Sequence, residues 1–306
     1  MSVLGGPPEV SGPSSTGEVD IESRSPLRLL GVNRRLRGAM SANAELTLGA
    51  CIVGGILLAG LLAGVLAPDD PVKQEIVNRL APPGTSGHLL GTDSIGRDTL
   101  SRLMYGARND LLLASAAVLL SFLIGSAIGV TSGYRGGWLD SLLVGVIDVI
   151  IAFPLLVLLI ALVFVLGPGV LTILIAITVI DWVVYARIAR ASTRRESAME
   201  YVLAAQVGGV PTGRVLRRHI LPNLVSQLIV YAMSDMVLVI LFITVLGYLG
   251  LGIPPPAPDW GTMISEAQPY INNEWWLAVI PGVAIMVTGL GLSLIADGLA
   301  EKLDAR

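Results

Sequence analysis

The chain has 306 residues, of which 53% are hydrophobic and only 14% charged, with a formal net charge of −3 and a mean hydropathy of +0.74. Ordinary globular domains carry about 25% charged residues, so this composition excludes a soluble domain and points to a polytopic membrane protein. The single cysteine, Cys51, lies in an apolar run and excludes a disulfide framework. With only His88 and His219, a histidine-based metal site is not expected.

Residues 1–45 read as an N-terminal arm. Its first 25 residues are rich in Gly, Pro, Ser and Glu, too polar to fold, and lack the apolar core of a signal peptide. Five arginines follow between Arg24 and Arg37. A span needs about 20 apolar residues. Six runs meet that need over residues 46–67, 111–133, 141–166, 170–186, 223–252 and 276–296, the third interrupted by Asp148 and Pro154. Six spans put both termini on one side. Fifteen of the 20 Lys and Arg residues fall in the segments on that side, which the positive-inside rule assigns to the cytoplasm. Trp275 and Trp276 then sit at the outer interface, where amphipathic rings settle.

The fourth and fifth runs are joined by residues 187–222. This segment holds seven arginines against two acids, Glu196 and Glu200, a formal charge of +5. Within it, Glu200, Tyr201, Leu203, Ala204, Ala205 and Val207 suit a short helix, and Gly208-Gly209 stops it. The small Ala204 and Ala205 allow close approach of a partner surface. Pro222 opens the next helix, where its missing N–H costs nothing.

Ala204-Ala205, three residues, Gly209, nine residues and His219-Ile220-Leu221-Pro222 together resemble the cytoplasmic EAA loop of ABC importer permeases, with the glutamate at Glu200 as in peptide permeases. On the opposite side, Gly91-Thr92-Asp93-Ser94-Ile95-Gly96-Arg97-Asp98 resembles a motif of the dipeptide and oligopeptide (DppC/OppC-like) branch. Ala152-Phe153-Pro154, Leu166–Gly169, Tyr185–Arg187, Leu249–Gly252, Trp260–Ala267 and the tail from Asp297 extend the likeness over residues 46–306. The resemblance implies an all-α, six-helix, type I importer permease fold in a prokaryotic plasma (inner) membrane. It also implies a second homologous permease, two ATP-binding subunits or one fused ATPase, and an extracytoplasmic substrate-binding protein. The loop helix at Glu200, Tyr201, Ala204, Ala205, Gly208 and Gly209 would couple to the ATPase. Two departures stand on the pathway wall that the resemblance implies: Ile243 in place of the usual glutamate, and Asp181 in place of a small residue.

The external motif Gly91, Thr92, Asp93, Gly96, Arg97 and Asp98 either fixes the fold of its own segment or contacts the binding protein. Asp98 is placed to cap a helix beginning Thr99-Leu100-Ser101. Acids inside spans are expensive and usually face a bundle interior or a water-filled cavity. Asp181 and Asp235 are therefore pathway candidates, through attraction of a peptide amino terminus or simply as an interhelical hydrogen bond. Asp148, early in its run, reads as a packing or interfacial residue.

There is no P-loop, phosphate cradle, nucleophile elbow or other catalytic constellation. The chain is expected to bind no cofactor or metal and no nucleic acid, and ATP and Mg are left to partner ATPases. The reading is a non-enzymatic permease for di- or oligopeptides. Nickel chelates, glutathione or another small solute remain open on the same scaffold. A proton-coupled secondary transporter would use the aspartates, but such folds carry inverted repeats and none is visible.

Overall fold

The computed structural model describes residues 26–304, with side chains over residues 43–303. The expected disorder of residues 1–25 falls outside the described residues, as do the side chains of the five-arginine arm. The chain divides into two units, residues 1–38 and 39–306. Of the first, only the backbone of its last turns is described, as the opening of a helix. Residues 26–45 are helical.

Helix α1 covers Pro26–Leu61, and a single further turn, α2, covers Ala63–Leu66. Then follow α3 (Thr99–Arg135), α4 (Gly137–Ile151), α5 (Leu155–Leu166), α6 (Val170–Ser197), α7 (Glu200–Val207), α8 (Thr212–Val215), α9 (Leu221–Tyr248), α10 (Trp260–Ala267) and α11 (Trp276–Asp304). No strand occurs among the described residues, only two isolated bridges near the motif. Among the described residues five continuous helices are long and apolar enough to cross a membrane, and α4 with α5 makes a sixth candidate.

Most helices overrun the apolar runs that announce them. Helix α3 begins at Thr99, not at 111; α6 carries on through the arginines to Ser197; and α8 passes through one wide turn, with Leu221 N–H donating to Leu216 O, into α9. Membrane depth limits the apolar stretch and not the helix, because Arg, Glu and Ser continue a helix readily in water. The third span departs most. Helices α4 and α5 meet at 86°. Pro154 supplies no N–H, and the residue before a proline is pushed out of helical geometry, so the run breaks at Ala152-Phe153-Pro154.

In lipid, helices associate by packing rather than by hiding from solvent, so small residues mark the closest crossings. Helix α3 meets α6 along Gly125, Gly129 and Gly133, one per turn. A Cβ there would stand 2.3 Å from Trp182 O, 2.3 Å from Ala186 O and 2.7 Å from Arg190 O respectively. The central cluster then joins Leu111, Ala117, Ile177, Leu228, Ile240 and Trp260 from four helices. Helix α1 lies on α11 and α3 by the same device, at Gly49 against Gly291 and Gly60 against Arg108. Large apolar side chains elsewhere on α3, α5 and α11, such as Leu119, Phe164 and Met286, are exposed, as a lipid-facing surface requires.

Candidate functional site

The segment 187–222 is mostly helix, not an extended loop. Helix α7 is anchored from beneath. Val202 is fully buried with Val215 and Ile220, flanked by Tyr134 and Leu216. The Tyr201 hydroxyl donates to Glu196 at 2.6 Å, and Asn223 Nδ2 donates to the same carboxylate at 3.4 Å, so α6, α7 and α9 share one acid. That hydrogen bond to Glu196, with burial second, raises the Tyr201 phenol above its ordinary value, keeping it a neutral donor. The helix ends where Gly209 turns at φ 76°, a left-handed conformation that favours glycine, and Val210 N–H returns to Ala205 O at 3.1 Å.

The other face of α7 is open. Glu200, Leu203, Ala204 and Val207 recur at helical spacing on one side, and all four are exposed, Val207 to 91%. Tyr201 is as exposed as Leu203 but its hydroxyl reaches back to Glu196, and Ala205 is half-buried. The residues read from the sequence as one group thus divide into an anchoring set and a presented set.

Behind α7, α4 and α6 are tied by a knot at Asp140. Asp140 is buried and accepts from Arg190 through both oxygens, from Arg194 at 2.8 Å and from Ser132 at 2.9 Å. Arg190 and Arg194 stand one turn apart on a single helix face, and Asp140, 50 residues before Arg190, reaches them only through the fold.

At the opposite end, Gly91–Asp98 folds into a clasp. Asp93 accepts from the backbone of Ile95 and Arg97 at 3.0 and 2.9 Å, from Arg97 Nε at 2.6 Å, and from Arg102. Both arginines also reach Glu266 of α10, at 2.7 and 2.6 Å. Burial pushes the Asp93 carboxyl up, but Arg102, the Arg97 N–H and charge and the Ile95 N–H outweigh it and hold the carboxyl below its ordinary value. Asp98 caps α3, accepting from Ser101 N–H at 2.8 Å, and lies 3.0 Å from His88 Nδ1. The Thr92 hydroxyl donates to Asn78 O and accepts from Ala81 N–H. A Cβ on Gly91 or Gly96 would strike the backbone at Ala81 or Glu75. Glu266, whose residue type alone gave no hint of this role, is what ties the clasp to α10.

Between the two ends, Asp235 of α9 is buried and accepts from the Tyr185 hydroxyl of α6 at 2.8 Å. Tyr231 stacks edge-on to Tyr185 at 5.1 Å. Asp181 lies beside Asp235 and Ser121, next to a cavity of about 20 Å³ lined by Leu155, Leu159 and Phe242. The two aspartates named as candidates therefore come together, in one polar cluster at span depth. Ile243 does not join them: it is 1% exposed and packed in the central core, because its face of α9 turns inward. In this subunit that departure belongs to the core rather than to a pathway wall. Asp148 does not pack either. Its side chain is exposed, because α4 turns Leu143 and Ile147 toward Val183 and Ala186 and so turns Asp148 away.

A multi-helix membrane scaffold with an anchored, outward-facing helix at its arginine-rich end is the architecture of a permease. Residues 125–306 match the family of binding-protein-dependent transport system inner membrane components. The di/tripeptide transport system permease protein DppC of Pseudomonas aeruginosa is 38% identical over 256 residues, covering 82% of this chain and 84% of the relative. The dipeptide transport system permease protein DppC of Haemophilus influenzae is 39% identical over 256 residues, covering 82% and 87%. That of Alkalihalophilus pseudofirmus is 34% identical over 267 residues, covering 87% and 88%. The chain belongs to the family of binding-protein-dependent transport system inner membrane components, and it is a multi-pass protein of the inner membrane.

Proposed function

We propose that this chain is one of two permease subunits of an ATP-driven importer of di- and oligopeptides. Its partners are a second, homologous permease, ATP-binding subunits that carry out hydrolysis, and a substrate-binding protein on the outer side. The peptide class rests on the relatives named as dipeptide and di/tripeptide permeases. Both termini and α7 lie in the cytoplasm, a placement supported by the arginine bias.

The observation that carries the reading is the form of α7. Apolar side chains on a solvent-side helix are left uncovered at Leu203, Ala204 and Val207, while its inner face is pinned to three other helices through Val202 and Glu196. Such a helix transmits force. A partner that grips the outer face moves α6 and α9 through the pinned inner one. ATP-driven closure of the ATPases then rocks the spans between inward- and outward-open states. The clasp at Asp93 and Glu266 gives the outer end a rigid rim for the binding protein to meet.

The test is affinity purification of the tagged chain from detergent-solubilised membranes, followed by an ATPase assay. Co-purifying ATPases, stimulated by peptide together with the binding protein, support the proposal. A chain that purifies without an ATPase and drives uptake on a proton gradient overturns it.

A further inference from the structure

Asp148 is a carboxylate in the wrong place for lipid. It lies two turns beyond the Asp140 knot, about 12 Å along α4 at 1.5 Å per residue. Among the described residues its side chain has no hydrogen bond or ion pair, and it is exposed. Ser141, Gly145 and Ala152 share its face of the helix, at spacings that repeat the helical turn, and all are exposed. An added Cβ on Gly145 would meet nothing within 4 Å. A carboxylate on one methylene cannot stretch back to the interface, and an ionised group at span depth costs at least a few kcal/mol against hydrocarbon.

The helix break supplies a second, independent constraint on the same surface. The helix ends at Ala152, one turn beyond Asp148, and the backbone leaves helical geometry at Phe153 and Pro154, with all three residues exposed. Irregular backbone at membrane depth is tolerated only where protein buries it or water reaches it. Burial against an apolar helix would strand the Asp148 charge without a partner, which is strongly unfavourable. Water satisfies both the carboxylate and the broken backbone.

We propose that the Ser141–Gly145–Asp148–Ala152 face of α4 lines the water-filled translocation path, and that Asp148 is a recognition residue there for cationic groups, the protonated amines of the transported solute. This rests on the permease reading above. Asp181 and Asp235 lie apart from it in their own polar cluster, whereas Asp148 has no side-chain donor among the described residues.

Substituted-cysteine labelling tests it directly. Cys51 is the only cysteine in the sequence, so Cys51→Ala leaves this chain without a thiol in the assembled transporter. Ala152→Cys then reports on the face, and Val77→Cys, at a site 96% exposed and away from α7, is the reactive control. Membrane-impermeant cationic and anionic thiosulfonates are applied from both sides. The expected result is modification of residue 152, with the cationic reagent about tenfold faster than the anionic one, and loss of that preference in Asp148→Asn. No modification of residue 152 while the control reacts overturns the proposal, as does a disulfide from it to the second permease. Modification with no charge preference, or one that Asp148→Asn leaves unchanged, overturns the recognition role. Labelling does not require ATP hydrolysis, so failure of the importer reading, seen as absent ATPases, is distinguishable from failure of this one.

Discussion

The two ends of the molecule carry the two most distinctive sequence motifs, and they treat their side chains in opposite ways. At the clasp, Asp93, Arg97, Asp98 and Arg102 spend their hydrogen bonds on one another, on Glu266 and on the local backbone. At α7, the polar groups Tyr201, Glu196 and Asn223 hold the helix in place, and the apolar groups Leu203 and Val207 are left outside. A charged motif satisfied within its own chain is shaping the fold. An apolar stripe left uncovered in water is waiting for another surface. The amount of charge in a motif therefore says little about which of the two roles it has.

This contrast makes stability and coupling separable. The largest stability change is expected at Arg102, which is 3% exposed and pairs with both Asp93 and Glu266. Arg102→Ala leaves buried Asp93 and half-buried Glu266 with Arg97 as their remaining cation and should cost about 3 kcal/mol, read as a lower melting temperature of the purified complex. If melting is unchanged, the clasp is not structural and its contact with a binding protein becomes the better reading.

Asp93 sharpens the same point through pH. Its carboxyl titrates below its unfolded value, so it contributes stability above the ordinary aspartate range, and that contribution is lost as pH falls through the folded value. The melting difference between wild type and Asp93→Asn should be greatest near neutral pH and shrink on acidification. A difference that grows on acidification would contradict the ion-pair account.

The sequence made the spans legible because charge-free runs of sufficient length have few other uses. It made the cap at Asp98 and the stop at Gly209 legible because each depends on neighbours within a few residues. It did not show where helices end, since Arg187–Ser197 continue α6 into water with nothing local to stop them. It did not show the 86° bend, although Pro154 marked where a bend could fall. Partners far apart in sequence were hidden for the same reason: Glu266 lies 164 residues from Arg102, and Asp140 lies 50 from Arg190. Ile243 was assigned to a wall by alignment of motifs alone, and only packing could turn it inward.

The most direct test of the whole account is the smallest change in stability. Val207 stands 91% exposed on the open face of α7, so Val207→Asp should leave melting of the permease within about 0.5 kcal/mol of wild type. The measurement is the amount of ATPase that co-purifies with the variant, alongside peptide uptake in cells expressing it. The account predicts an intact permease that has lost most of its ATPase and its uptake. Full co-purification with normal uptake would contradict it and show that α7 is not the surface through which this subunit is driven.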